Sequence, residues 1–329
     1  MSKNQIELDE MAQSGELDVE PMEGKPVEVD YRILINGFPK AGTHLIEQYV
    51  KPIAPPMRAE KPWAGTFAGN SWTEVWIEDF RLFRQMGWLN DGAYAKGHIG
   101  HRKDIEMFIW GIGAGMIFIY RDPRDVAISQ THHILGDGQH PEREPYQEAA
   151  EKGGFREALK MVIRGYRGKE RNNATTKRNY YAGVMQRWRH YAPWLVVPWV
   201  MQVKYEDAIT MREEVAGAIV NYCVTRAALH RGYTATIEDD VRAKHVERMV
   251  AYTHETDKSP TFRQGVAHQW EEHFDDEIKA LWKSKDRPKK LPPNVLDVAQ
   301  RYNQHEIVKK ASEPKSWLVR LGYEESEQW

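Results

Sequence analysis

Arg32-Ile-Leu-Ile-Asn-Gly-Phe-Pro-Lys-Ala-Gly-Thr-His44 is the stretch that decides the fold. Arg32 to Asn36 is a short β-branched run ended by Gly37 and Pro39, the pattern of a buried strand entering a tight loop. Thr43 to about Lys51 then reads as a helix, stopped by Pro52, Pro55 and Pro56. A glycine-bounded loop between a strand end and a helix N-terminus exposes successive backbone N–H groups, and the helix dipole adds about half a positive charge there. Lys40 lies inside the loop and can fold its ammonium onto the same anion. In the nucleoside-triphosphate loop Lys-Ser/Thr follows the second glycine directly; here Thr43 and His44 follow Gly42, and the lysine precedes it by two residues.

Working outward, Gly115-Met-Ile-Phe-Ile-Tyr120 is a second core strand and Trp199 to Lys204 a third. Helices are expected from near Pro123, over 155–165, 181–191, 211–229, 268–282 and 295–310. Strands alternating with helices imply an α/β fold, a mostly parallel central sheet flanked by helices on both faces. Arg121 stands where the second strand ends, the usual rim for ligands in open α/β sheets. Ser129 follows after about two helical turns, so a guanidinium and a hydroxyl can converge on one phosphate. As a local alternative, Arg121, Asp122, Arg124 and Asp125 form a charged helix start with internal ion pairs.

The 329 residues include 41% hydrophobic and 29% charged side chains, enough apolar mass for a core and against wholesale disorder. Net charge is −2, which excludes a polycation that coats nucleic acid. Cys223 is the sole cysteine, so neither an intrachain disulfide nor a cysteine-built metal site can form. The longest apolar run, Met107 to Tyr120, is too short for a membrane span, which needs roughly 18–20 residues. The N-terminus lacks the apolar core of a secretory signal, so a cytoplasmic location is expected. Residues 1–30 carry nine acidic against two basic side chains and read as an acidic, mobile leader; the remainder stands at about +5. Residues 31–329 read as one domain.

The two anion-binding segments together resemble the sulfotransferase family, enzymes that use 3′-phosphoadenosine 5′-phosphosulfate (PAPS). Pro39-Lys-Ala-Gly-Thr-His44 is similar to the family's 5′-phosphosulfate loop P-K-S/A-G-T-T, with histidine in place of the last threonine. Tyr120 to Ser129 matches its 3′-phosphate segment Y-R-N/D-P-x-D-x-x-x-S. Lys96-Gly-His98 resembles the K-T-H that carries the catalytic histidine. Thr261 to Trp270 is similar to the late F-R-K-G-x-x-G-D-W loop, and Lys204-Tyr-Glu-Asp207 to the F-Y-E-D strand end whose tyrosine approaches adenine. A P-loop-like fold follows from the resemblance. Departures are Leu45 where cytosolic members have a tryptophan stacked on adenine, Gln264 for a lysine, and His268 and Gln269 for glycine and aspartate.

What the resemblance implies is sulfuryl transfer from PAPS to a hydroxyl or amine by in-line displacement, leaving 3′,5′-bisphosphoadenosine (PAP). His98 would be the general base, with Lys40 and Lys96 assisting catalysis. Lys40, Ala41, Gly42, Thr43, His44, Arg121, Ser129, Tyr205, Thr253, Arg263, Gln264 and Gly265 would bind the nucleotide. No metal is expected; His98, His101, His132 and His133 offer spacings for one but no third ligand that sequence can place. The acceptor is a small molecule, lipid or glycan, with insertions near 57–90 and 136–180 facing it. The latter carries Lys160, Arg164, Arg167, Lys169, Arg171, Lys177 and Arg178, either a basic cleft edge or a solvated face balanced by nearby glutamates. The oligomeric state is not indicated by any motif. The alternatives are a P-loop nucleotide or small-molecule kinase, which would need Mg²⁺, and a non-catalytic bisphosphonucleotide-binding relative.

Overall fold

Ile33, Leu34, Ile35 and Asn36 are all buried, as a strand covered on both faces must be. A computed structural model describes residues 32–54, 66–67, 89, 92–136, 143–167, 180–231, 237–253, 266–287 and 289–324. In chain order the first half runs β1 (Ile33–Gly37), α1 (Thr43–Val50), β2 (Thr66–Phe67), β3 (Tyr94–Gly97), α2 (Lys103–Gly111), β4 (Gly115–Tyr120), α3 (Pro123–Gly136) and α4 (Arg143–Arg164). Then follow β5 (Gly165–Arg167), β6 (Tyr180–Ala182), α5 (Val184–Trp188), a 3-10 turn (Ala192–Val196), β7 (Val200–Lys204), α6 (Tyr205–Thr210) and α7 (Arg212–Arg231). The remainder is helical: α8 (Asp239–Thr253), α9 (Trp270–His273), α10 (Asp276–Lys285), α11 (Pro293–Arg301), α12 (His305–Lys310) and α13 (Trp317–Arg320).

The main sheet has the order β2-β3-β1-β4-β7, and every neighbouring pair is parallel. Along β1, Ile33 lies opposite both Tyr94 and Gly115, while Gly37 lies opposite Ile119. The chain leaves β3 on one side of β1 and returns as β4 on the other, which opens a crevice at the carboxyl ends of the strands. The alternation of side chains along each strand separates two cores. Leu34, Met116 and Phe118 face one, with Ile105, Ile109, Val126, Trp188 and Trp194. Ile33, Ile35, Ile117 and Ile119 face the other, with Ile46, Val50, Ile219 and Met249. The fold is thus the expected parallel sheet between two helical layers. Among the described residues no helix is long and apolar enough to cross a membrane.

Several expected boundaries are corrected. The helix expected over 181–191 is instead β6 followed by α5, because Tyr180–Ala182 pairs antiparallel with β5. Gly183 marks the break: a Cβ there would sit 2.4 Å from the Ile163 carbonyl oxygen. The helix expected over 268–282 splits at Phe274–Asp275, where Asp275 caps α10 by accepting from Ile278 N at 2.9 Å. That over 295–310 splits at Asn303, held in the left-handed region at φ 52°. The helix expected over 155–165 continues one that begins at Arg143 and is broken at Gly153–Gly154. β3, α2 and α8 were not anticipated. The acidic leader, nearly all of the insertion near 57–90, and residues 137–142 and 168–179 of the second insertion lie outside the described residues, while α4 and β5 fall within the second.

Candidate active site

Four parallel strands end on one edge of the sheet, and the residue or loop after each end is a candidate functional group. β1 is followed by the 38–42 loop, β3 by His98, β4 by Arg121 and β7 by Tyr205. Sheet register therefore gathers groups that lie far apart in sequence.

The loop is shaped by close approaches. Phe38 is buried and packs edge-on against Trp188 and Tyr191, with centroids 5.6 and 5.2 Å away. Ala41 N donates to Phe38 O at 2.9 Å, closing a tight turn that holds Lys40 at φ 71°. A Cβ on Gly37 would lie 2.9 Å from the Ile119 carbonyl oxygen. One on Gly42, which has φ 113°, would lie 2.6 Å from Tyr205 Cδ2. Only glycine lets the backbone come this near at a positive φ. Gly42 caps α1 without a side-chain acceptor and its carbonyl takes Leu45 N at 2.8 Å, so the N–H groups of Thr43 and His44 are not consumed by the cap. Ala41 and Thr43 are buried, while Lys40 and His44 are partly exposed at the cleft.

His98 is fixed from three sides. Asn36, buried at the end of β1, donates to Ile99 O at 3.0 Å and accepts from Ile99 N at 2.8 Å. Tyr191 donates its hydroxyl to His98 O at 3.1 Å. The ring itself places Nδ1 2.9 Å from Gly37 O. A carbonyl oxygen can only accept, so Nδ1 carries the proton and Nε2 is the basic nitrogen. Burial pushes the imidazole down to about 4; the Gly37 contact opposes that shift, and the charges of His44, Lys40 and Lys96 reinforce it. The ring is therefore neutral at pH 7, the state a proton acceptor requires.

Lys96 projects from β3 into an ionic cluster with α1. Its Nζ donates to Glu47 Oε2 at 2.7 Å and lies 3.2 Å from His44 Nδ1, which is itself 3.2 Å from the same carboxylate oxygen. Tyr94 donates to the other oxygen at 3.0 Å. Burial alone would raise the Glu47 carboxyl, but the donors from His44 and Lys96 outweigh it and hold it down at about 2. His44, Lys96 and Glu47 are thus one unit beside the loop.

Arg121 lies over the Tyr205 ring, with Cζ 4.2 Å from the centroid. A Cβ on Gly42 would meet the same ring, so one aromatic side chain stands between the 38–42 loop and Arg121. Arg121 Nη2 donates to Val266 O at 2.6 Å and to Asp125 Oδ2 at 3.1 Å, while its buried Nε meets no acceptor among the described residues. Asp125 in turn accepts from Trp270 N at 3.0 Å. Arg124 lies over the Trp270 ring at 3.7 Å and is ion-paired to Asp122 and Glu324. The expected local ion pairs are therefore present at both Asp122–Arg124 and Arg121–Asp125, and Arg121 also reaches the late segment that begins at Val266.

Ser129 sits partly exposed on α3, and no contact in the described residues joins it to Arg121. Thr253 ends α8 fully buried, its hydroxyl donating to Val250 O at 2.7 Å. Arg263, Gln264 and Gly265 lie outside the described residues. Lys160 is paired with Glu157 and with Glu277, the latter at 2.8 Å, so its charge is neutralised within its own face; positions 168–179 are outside the described residues. The histidines considered for a metal are dispersed. His101 pairs with Glu106 at 2.6 Å and His132 stacks on Phe155 at 4.3 Å. Asn36, Glu47, Tyr94 and Tyr191 escaped the sequence reading. Only Asn36 leaves a trace there, as an amide inside an otherwise apolar strand.

Residues 30–284 match the family model described as the sulfotransferase domain. The chain belongs to the sulfotransferase family. It is accordingly an enzyme of the sulfotransferase class, and the loop, His98, Arg121 and Tyr205 all fall inside the matched domain. Among solved structures it is similar to mouse sulfotransferase SULT7A1 complexed with PAP, at 14% identity and a TM-score of 0.47, over 85% of this chain and 89% of that one. It is also similar to a retinol dehydratase in complex with androsterone and inactive cofactor PAP, at 14% identity and a TM-score of 0.43, over 80% and 82%. A sulfotransferase from Alicyclobacillus acidocaldarius matches at 12% identity and a TM-score of 0.29, over 68% and 96%. No curated protein sequence matches the chain significantly.

Proposed function

We propose that this sulfotransferase takes its sulfuryl group from PAPS and passes it to a hydroxyl or amine, with His98 as general base. One observation carries the proposal: His98 has its proton fixed on the nitrogen facing Gly37 O, which leaves Nε2 basic beside the phosphate loop. The residues suit the donor. The loop, opened by two glycines that tolerate no Cβ, suits the 5′-phosphosulfate, and Arg121, with a buried Nε to spend, suits the 3′-phosphate. Tyr205 stands between them, against the loop on one side and Arg121 on the other. Ser129, Thr253, Arg263, Gln264 and Gly265 complete the nucleotide site in this reading.

In the transfer, the bond from sulfur to the bridging phosphate oxygen breaks as the acceptor oxygen bonds to sulfur. His98 Nε2 takes the acceptor proton, and Lys40 with the first amides of α1 holds the charge that develops on the leaving phosphate. Lys96, held on Glu47, fixes His44 and the loop from the side and adds positive potential near the sulfuryl oxygens. Residues 31–329 act as one catalytic unit, with the regions near 57–90 and 136–180 facing the acceptor.

The test is transfer of radiolabelled sulfate from PAPS to a panel of phenols, sterols and oligosaccharides. On any substrate that is sulfated, His98→Ala should lose roughly 10²–10⁴-fold in kcat yet keep its affinity for PAP. Lys40→Ala should lose roughly 10²–10³-fold and bind PAP weakly. Full turnover by His98→Ala would remove the histidine from the mechanism.

A further inference from the structure

Beyond the matched domain, residues 285–320 help to enclose a cavity of about 510 Å³, well within the range of small-molecule sites. Arg189, Lys285, Arg287, Lys289 and Lys290 line it, and none of these five forms an ion pair among the described residues. Two further lining cations are already engaged. Lys315 pairs with Glu313 at 2.9 Å, and Arg320 donates to the carbonyls of Lys289 and Glu313, both at 2.8 Å. The one lining carboxylate, Asp286, is buried with both oxygens committed to backbone amides, Trp317 N at 2.8 Å and Leu318 N at 3.2 Å. It cannot turn to neutralise the lysines.

The backbone that carries these charges is fixed. Lys289 and Lys315 exchange antiparallel hydrogen bonds of 3.2 and 3.1 Å, and Leu291 N donates to Ala311 O at 3.1 Å. That bridge sets Lys289 directly opposite Lys315, and Glu313 neutralises only the second of the two. Leu291, Pro292 and the partly buried Trp317 supply an apolar wall next to the charges. Trp317 is anchored by an edge contact with Trp188 at 6.0 Å, so the wall is rigid. Seven of the chain's 46 lysines and arginines thus line one cavity that carries a single carboxylate.

We infer that this cavity is a second ligand site, separate from the strand-end cleft, for a ring-bearing compound with two or more sulfate or phosphate groups. The anionic groups meet the 285–290 cations, and the C–H face of the ring lies on Trp317. The inference does not depend on the donor assignment.

Fluorescence anisotropy of a labelled heparin-derived tetrasaccharide with the full chain tests it, with inositol hexakisphosphate as the phosphorylated competitor. Binding should be saturable and should persist in excess PAP. Arg287→Glu/Lys289→Glu/Lys290→Glu should weaken it by roughly tenfold or more. Lys103→Glu/Lys244→Glu/Arg248→Glu, an equal charge change elsewhere on the surface, should leave it within about twofold. Should the first triple variant fold poorly, Lys289→Ala/Lys290→Ala should still weaken binding. The stronger competitor then identifies the sulfated or the phosphorylated source. Equal loss in the two triple variants, displacement of the probe by PAP, or no binding of either probe would overturn the inference.

Discussion

His98 titrates far from where a free imidazole does, and the pH dependence of turnover should show it. With the ring held at about 4 by burial and its cationic neighbours, the acid limb of kcat/KM should fall with an apparent pKa near 4 instead of about 6.5. A limb at 6–7 in a pH–rate profile would mean that the ring is solvated in the working enzyme. Asn36 makes a second prediction at this scale. Asn36→Ala strands the N–H and C=O of Ile99, at a cost of about 1–3 kcal/mol in denaturant melts. It should also lower kcat by up to about 100-fold through misplacement of His98, with little change in PAP affinity. Lys40 is legible in the glycine-bounded loop itself, and His98 only through the resemblance of Lys96-Gly-His98 to the family's K-T-H segment. Asn36 and Glu47 act on other protein groups from 63 and 49 residues away, and linear spacing carries no trace of such pairings.

Among the elements, β1, β4, β7 and the helix after the loop are legible because each is a short apolar or periodic run with glycine or proline at an end. β3 is not: four residues containing Lys96 and Gly97 show no strand period, and only pairing with β1 and β2 makes them a strand. The Tyr180–Ala182 stretch was misassigned for the same reason, since its partner strand supplies what its own sequence does not. The loop connecting β1 to α1 yields the sharpest element-level test. Gly42→Ala puts a methyl 2.6 Å from the Tyr205 ring at a φ that favours glycine, so the loop must move. PAP affinity measured by calorimetry should drop by roughly tenfold or more. Gly136→Ala, at a helix end with nothing within 4 Å, should leave it unchanged.

For the whole molecule, acid should destabilise through Glu47, Glu106 and His98, opposed by Asp125 and Glu206, whose carboxyls burial raises. Glu47 is held at about 2 and Glu106 is also lowered; burial works against both, but their hydrogen-bonding and ionic partners prevail. Their contribution is present above the unfolded carboxylate range and is lost as pH falls through the lowered values. His98 adds to this: the unfolded chain takes up its proton near 6.5 and the folded one only near 4, so stability also falls as pH drops between them. Melting temperature should therefore decline steadily below pH 6.5. Glu106 joins His101 on one side and Arg301 and Tyr302 on the other, tying α2 to α11. Glu106→Gln should cost about 3–5 kcal/mol in equilibrium unfolding while leaving kcat intact in the surviving folded protein.

The sheet edge as a nucleotide site with two separate anion pockets is most directly tested by thermal shift with PAP against ATP·Mg²⁺. PAP at 100 times its dissociation constant should add about 2.7 kcal/mol of stability, ATP·Mg²⁺ at the same concentration much less, and Lys40→Ala/Arg121→Ala should abolish the PAP effect. Greater stabilisation by ATP·Mg²⁺, or an undiminished PAP shift in the double variant, would contradict the account.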